Sequence, residues 1–235
     1  MNNIFARTEA LLGKNSVNKL KNARVALFGL GGVGSSAFEA LVRSGVGTIE
    51  VFDCDTVSET NLNRQLLAVR STIGISKTSA AVERAADICA DTVVIPHNMF
   101  YLPNNSDSVD MKRFDVVIDA VDTVTAKLEI IQKAKLAETE VLSCMGTGNK
   151  LDITRLRVSD ISETSGCPLA RIMRKELKSR NIEGVRVVWS DEKPYAAELT
   201  GELKGSRPAP ASAIFVPSAA GMLLAMEAIK IITRE

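Results

Sequence analysis

The 235-residue sequence predicts an α/β fold: a doubly wound, mostly parallel sheet followed by a C-terminal extension of mixed strands and helices. Three observations predict it. Short apolar runs alternate with longer amphipathic stretches through the first 150 residues, the rhythm of βαβ units. The first run, Arg24–Phe28, is apolar at four of its five positions, as a strand buried on both faces must be. It leads directly into Gly29-Leu-Gly-Gly-Val-Gly34, a glycine-rich turn opening a helix.

The elements follow in order. A helical arm is expected over residues 2–20, before the strand Arg24–Phe28. After the glycine turn comes a helix over 35–44, stopped by Gly45 and Gly47. The second strand, Thr48–Phe52, ends at Asp53. A helix is expected over 76–89, strands over 92–95 and 115–118, a helix over 123–137 and the strand Glu140–Cys144. Beyond Gly146 the rhythm changes: a half-exposed strand over 153–158, a basic helix over 169–180 and a strand over 185–189. The Pro- and Gly-punctuated stretch 192–211 reads as a long mobile loop, followed by a strand over 212–216 and a helix from Ser218. Residues 1–150 thus read as a nucleotide-binding, Rossmann-like region with an N-terminal arm, and 151–235 as a substrate-facing region packed on the same sheet.

Composition narrows the function. With 46% hydrophobic and 24% charged residues, disorder and fibrous folds are excluded. One histidine, His97, excludes a His-rich metal site and reads as structural. Cys54, Cys89, Cys144 and Cys167 are scattered, so no Cys-x-x-Cys zinc or redox pair exists. Cys54 and Cys144 read as packing residues, and Cys167 is open between a structural and a reactive thiol. Trp189 reads as core or as a platform for a base. The N-terminal MNNIFARTEALLG lacks the apolar core of a signal peptide, and a cytoplasmic location is expected. Pro217, Ser218, Glu227 and Lys230 make the apolar stretch 214–232 a buried amphipathic helix rather than a membrane span.

A net charge of +1 argues against gripping nucleic acid by bulk electrostatics. The charge is uneven, however. Segment 166–190 carries Arg171, Arg174, Lys175, Lys178, Arg180 and Arg186 against Glu176 and Glu183, a net +4. It reads either as a solvated helix face or as a phosphate-contacting surface that Arg155 and Arg157 could extend.

Chemistry gathers around the glycine turn. Gly29, Gly31, Gly32 and Gly34 let the backbone approach phosphates at a helix N-terminus. Asp53 is placed to accept ribose hydroxyls, so a dinucleotide site is the first reading. The residues that follow shift it. Asp55, then Thr60-Asn-Leu-Asn-Arg-Gln65, then Gly74-Ile-Ser-Lys77 bring Arg64 and Lys77 beside the nucleotide, in motifs that also hold Asn61 and Asn63 as candidate contacts. An arginine and a lysine there suit a triphosphate, whose charge they neutralise as pyrophosphate departs. Asp119-Ala-Val-Asp122 then reaches the carboxyl edge of the sheet, where a carboxylate can hold Mg²⁺ between phosphate oxygens.

GLGGVGS, the DCD at 53–55, TNLNRQ, GISK and IDAVDT, in this order, resemble the ThiF/MoeB/HesA family of adenylating enzymes related to ubiquitin-activating enzymes. The resemblance implies ATP and Mg²⁺ as cofactors and adenylation of a carboxylate. It implies contacts from Gly32, Asp53, Asn61, Arg64, Lys77 and Asp122, with Asp122 the metal ligand, and a homodimer. It also implies that Arg7, in IFART, reaches the partner's site; the other reading of Arg7 is a surface arginine on a mobile arm. Thr123 replaces the asparagine that better known members carry after the metal-binding aspartate, and one hydrogen bond remains available there. The C-terminal third resembles one branch of the family, carried by SCMGTGNKLDITRLRVSDISET, PLARIMRKELKSRNI, VVWSDEKP and IFVPSAAGM, with ARTEALLG at the start. That branch implies tRNA as partner. The reaction would be ATP-dependent dehydration and cyclisation of threonylcarbamoyladenosine through an acyl-adenylate of its carboxylate. Adenylation of a ubiquitin-like sulfur-carrier protein or a small carboxylate stands as the alternative, although the zinc cysteines of the protein-activating members are missing. A nucleotide-sensing module and a docked sulfur-transfer partner also stay open.

Overall fold

The computed structural model describes residues 3–196, 203–204, 207–208 and 210–234. The N-terminal arm is two helices rather than one, α1 (Ala6–Leu12) and α2 (Lys14–Asn22). Gly13 separates them at φ 86°, a left-handed value that an L side chain rarely adopts.

The centre is one seven-stranded sheet. Its strands are β1 (Arg24–Phe28), β2 (Thr48–Phe52), β3 (Val93–His97), β4 (Val116–Asp119), β5 (Glu140–Cys144), β6 (Leu156–Asp160) and β7 (Arg186–Ser190). They lie in the order β3-β2-β1-β4-β5-β7-β6, all parallel except β6, which pairs antiparallel with β7. The predicted α/β class is the observed one. The order reverses between β1 and β4, and the crevice outside the carboxyl ends of the strands at such a reversal is where these sheets bind ligands.

Helices cover both faces: α3 (Gly32–Ser44), α4 (Lys77–Ile88), α5 (Val124–Leu136), α6 (Pro168–Ser179) and α7 (Phe215–Thr233). Successive residues of a strand point to opposite faces, so β1 feeds two cores. Val25 and Leu27 join Phe38 and Leu41 of α3 and Leu224 and Ala228 of α7. Ala26 and Phe28 join Ile130 and Ile131 of α5 and Ala170 and Met173 of α6. Each such large side chain is worth about 1.5–3 kcal/mol when fully buried. Gly221 lets α7 lie against α3, since a Cβ there would sit 2.3 Å from the Val33 carbonyl oxygen.

Several expectations shift. The first α/β helix starts at Gly32, not Ser35, so two of the turn's glycines lie in its first turn. The strand expected over 153–158 is a 3-10 turn, Ile153–Arg155, followed by β6, because Asp152 caps the Thr154 amide. The strand expected over 212–216 does not form. The Ser212 carbonyl accepts from Asn63 Nδ2 at 3.0 Å, and α7 starts at Phe215 with Pro217 in its first turn, where proline fits a helix. Of the loop expected over 192–211, residues 197–202, 205–206 and 209 lie outside the described residues; β8 (Leu203–Lys204) pairs antiparallel with β9 (Arg207–Pro208). By length and composition α7 could cross a membrane, yet Val216, Ala220, Leu224 and Ala228 bury against the sheet and α3, as in a core helix.

Candidate active site

The glycine turn is held by sterics that only glycine meets. Gly29 has φ 88°, and its amide donates to the Phe52 carbonyl at 2.8 Å. A Cβ on Gly34 would lie 1.8 Å from the Gly29 oxygen, and one on Gly32 would lie 3.1 Å from Pro217 Cβ. Gly31 differs: an added Cβ meets no protein atom within 4 Å. Glycine is therefore needed at 29 and 34, and at 32 an added Cβ would press on Pro217. At 31 it leaves space beside the N-terminus of α3, whose first amides lack intrahelical partners.

Asp53, at the end of β2, closes one side. Its Oδ2 accepts from the Leu30 amide at 2.7 Å and its Oδ1 from the Asp55 amide at 2.8 Å. Each oxygen keeps a lone pair for a further donor. Lys77, the first residue of α4, turns its ammonium into the same corner, 2.7 Å from Asp55 Oδ2 and 3.9 Å from Asp53 Oδ1. That side chain is only 6% exposed, so its charge is held in place. Arg64 is drawn back on its own loop, donating to the Thr60 carbonyl at 2.9 Å and Asn63 Oδ1 at 2.8 Å. Asn61 Oδ1 accepts from the Ser58 amide, and Asn63 anchors the segment before α7. Both asparagines thus shape the loop that carries Arg64.

On the far side of the crevice, β4 ends at Asp119 and the chain runs through Ala120, Val121, Asp122 and Thr123 into α5. A Cβ on Gly29 would lie 2.9 Å from the Ala120 oxygen, so the two loops touch. Asp122 is exposed, and Thr123 is the N-cap residue of α5. Behind them lies a cluster the sequence reading missed. Lys127 Nζ donates to Asp119 Oδ2 at 2.9 Å and to the Val121 carbonyl at 2.8 Å. Ser143 Oγ, on β5, donates to the same Asp119 oxygen at 2.6 Å. A signal existed: Lys127 occupies the apolar stripe of α5 with Ile131 and Ala134, where a lysine needs a buried partner. Lys150 was missed too. It is buried, donates to the Ser190 carbonyl at 2.8 Å, and burial pushes its pKa down.

Other predicted residues separate. Arg7 is exposed on α1. Phe5 packs on Gly45, at the end of α3 away from the glycine turn and about 18 Å along the helix from it, so Arg7 stands far from the turn of its own chain. On α6, Arg171, Lys175 and Lys178 are exposed. Arg174 instead binds Thr164 through its carbonyl and hydroxyl, and Arg180 pairs with Glu176 at 2.7 Å. Arg155 and Arg157 share Asp191, and Arg186 pairs with Glu227 at 2.8 Å. These five are engaged in the structure's own hydrogen bonds and ion pairs. Two clefts of about 560 and 370 Å³ run between α5 and α6 and share Gln132 and Arg180; neither reaches the glycine turn.

The thiols divide by environment. Cys54 is exposed, not packed as expected; desolvation and the Asp55 and Asp53 charges still push its pKa up. Cys144 is buried, and burial pushes it up to about 12. Cys167 is buried at the N-cap of α6, which leaves little access for an incoming reagent. His97 binds Glu50 Oε2 at 2.7 Å and stacks on Phe52, a structural role. Trp189 is buried, with Nε1 donating to Ser159 Oγ, so it is not a stacking platform.

Known proteins share this fold. The chain is similar to a tRNA threonylcarbamoyladenosine dehydratase of Bacillus subtilis, 39% identical over 230 residues that cover 94% of this chain and 91% of that protein. An Escherichia coli protein of the same description is 34% identical over 175 residues, covering 74% of this chain and 65% of its relative. The crystal structure of the E. coli dehydratase TcdA in complex with ATP superposes with a TM-score of 0.88 at 30% identity, over 97% of this chain and 93% of that one. The ThiF family matches residues 5–235, and the chain belongs to that family.

Proposed function

We propose that the chain catalyses the ATP-dependent dehydration of threonylcarbamoyladenosine in tRNA, closing its side chain into a ring. The observation that carries this reading is the extent of the likeness. It spans the C-terminal region as well as the nucleotide crevice, covering 94% of the chain against a dehydratase. Within it, residues 1–150 serve adenylation and residues 151–235 face the tRNA. The substrate and ATP together imply a cytoplasmic location.

The chemistry suits the residues present. A free carboxylate is a poor electrophile because oxide is a poor leaving group. The threonyl carboxylate attacks the α-phosphorus of ATP, an oxygen–phosphorus bond forms and pyrophosphate leaves. The carbamoyl group of the same substituent then attacks the acyl carbon and AMP leaves. That second step is intramolecular, and holding the groups together can be worth about 7–11 kcal/mol. No enzyme nucleophile is needed, in keeping with buried Cys144 and Cys167 and a structural His97.

The space at Gly31 and the amides of α3 fit a phosphate chain, and Asp53 can accept ribose hydroxyls from donors its two amide bonds leave room for. Lys77 and Arg64 would neutralise charge as pyrophosphate departs; Arg64 uses only part of its five-donor fork on Thr60 and Asn63. Among the described residues no three His, Cys, Asp or Glu side chains gather as a metal site. Mg²⁺ would therefore take one carboxylate, Asp122, and complete its shell from phosphates and water, where it would neutralise phosphate charge. Arg171, Lys175 and Lys178 on α6 would contact tRNA phosphates.

A homodimer belongs to the same proposal. Phe215, Met222 and Met226 form an exposed apolar stripe on α7, suited to a second copy. Arg7, far from its own glycine turn, would serve the partner's crevice. Mixing Arg7→Ala chains with Asp122→Ala chains then restores part of the activity that each variant lacks; no restoration rejects the shared site. The main test is mass analysis of nucleosides from threonylcarbamoyladenosine-bearing tRNA incubated with the protein and ATP. A product lighter by one water, with AMP and pyrophosphate, is expected. AMP release driven by a carrier protein and not by tRNA would overturn the reading.

A further inference from the structure

Lys127 and Asp119 are both fully buried, yet neither is among the residues proposed to touch nucleotide. Desolvating two charges is costly, and an apolar pair of similar volume often stabilises a fold as well or better. Stability alone is thus a weak reason for this pair. Its hydrogen bonds point elsewhere. Lys127 Nζ holds the Val121 carbonyl at 2.8 Å, while Asp119 Oδ1 holds the Val121 amide at 3.2 Å. Ser143 Oγ fixes Asp119 from the neighbouring strand at 2.6 Å. The Val121 carbonyl belongs to the peptide joining Val121 to Asp122, so the cluster sets the orientation of that peptide plane. On its other side, Ala120 abuts Gly29.

We propose that Lys127, with Asp119 and Ser143, is a positioning device that aims the Asp122 carboxylate at the metal in the nucleotide crevice. The inference rests on the reading of Asp122 as the Mg²⁺ ligand. Mg²⁺ demands near-ideal octahedral geometry at about 2.0–2.1 Å, so a carboxylate displaced by a fraction of an ångström loses much of its worth. A rigid peptide anchored from behind supplies that accuracy without placing another charge in the site.

The test is ATP binding by calorimetry on the full chain without tRNA, in Mg²⁺ and in EDTA. The ratio of the two affinities is the gain from the metal. Lys127→Met with Asp119→Leu removes both buried charges and is expected to remain folded. The gain should fall at least tenfold while affinity in EDTA stays within twofold. Ser143→Ala, a milder change, should lower the gain about threefold. A merely structural cluster would lower the melting temperature and leave the gain at its wild-type value, and that result overturns the proposal. Should the double variant fail to fold, Ser143→Ala decides alone on the same criterion. Asp122→Ala separates the two levels. If it loses the gain while the cluster variants keep it, only the positioning role fails; if Asp122→Ala itself keeps the gain, the metal assignment fails and the positioning role with it.

Discussion

Around the crevice between β1 and β4, charged groups are sunk into the fold: behind it Lys127 and Asp119 are fully buried, and at its side Lys77 is 6% exposed beside Asp53. Along α6, Arg171, Lys175 and Lys178 stand in solvent, and the neighbouring arginines 174 and 180 are bound to Thr164 and Glu176. The first region can act by accurate placement of few charges in low dielectric. The second can act only by diffuse attraction to something large and anionic. In the proposed function, accurate placement goes with the small, highly charged triphosphate, and diffuse attraction with tRNA.

The largest effect expected from breaking this contrast is at Arg64. Arg64→Ala should leave the fold intact, since its partners lie on its own exposed loop. AMP formation with modified tRNA should fall about 10²–10³-fold, the usual loss when one donor to developing charge is removed. A loss below tenfold would mean that Arg64 shapes the loop and does not meet the phosphates.

Next comes the division among the glycines. Gly34→Ala forces a Cβ to within 1.8 Å of the Gly29 oxygen and should cost about 3 kcal/mol, read from urea unfolding. Gly31→Ala meets no protein atom and should keep its stability while weakening ATP binding. Equal stability loss at both positions would remove the case for an open phosphate space at Gly31.

The contrast also explains what was legible beforehand. Backbone constraints write themselves plainly: Gly29 and Gly34 admit no other residue, and the buried runs of β1, β2 and β5 are apolar throughout most of their length. The crevice was therefore readable down to Asp53 and Lys77. Lys127 was not, because a lysine among apolar residues reads as a solvated exception until its partner, eight residues upstream across a turn, is seen. Residues 212–216 have the composition of a strand, but a tertiary bond from Asn63 and the start of α7 override that preference. The basic count over 166–190 was right, yet sequence could not tell that Arg174 and Arg180 are already engaged while Arg171 is exposed.

A smaller effect tests the α6 surface. Arg171→Glu, Lys175→Glu and Lys178→Glu together should raise the apparent KM for tRNA about tenfold and flatten its salt dependence. Affinity for ATP and kcat at saturating tRNA should stay unchanged. A fall in kcat with no change in KM would place the tRNA elsewhere.

The smallest effect compares scaffold charges of the two regions. Glu39 on α3 is buried at the helix surface and binds Arg43 at 2.7 Å and Arg84 on α4 at 2.8 Å. Burial, the largest influence, raises its pKa, but the hydrogen bonds and charges of Arg84 and Arg43 outweigh it and hold the carboxyl below the ordinary 4.5. A carboxyl depressed in the folded state binds protons more readily once unfolded, so its contribution is complete above pH 4.5 and is lost as pH falls through the folded-state value. Glu39→Gln should therefore cost about 1 kcal/mol at pH 7, and the gap to wild type should close under acid. Asp191, shared by Arg155 and Arg157 in the C-terminal region, is also held low, by the Arg155 hydrogen bond first, but it is only partly buried and its arginine partners are about half exposed, where such pairs contribute little. Asp191→Asn should move the urea midpoint less than Glu39→Gln does at pH 7. If the two shift it equally, the ionic framework around α6 is as structural as that around α3, and the division between placed and diffuse charge would have to be redrawn around Arg171, Lys175 and Lys178 alone.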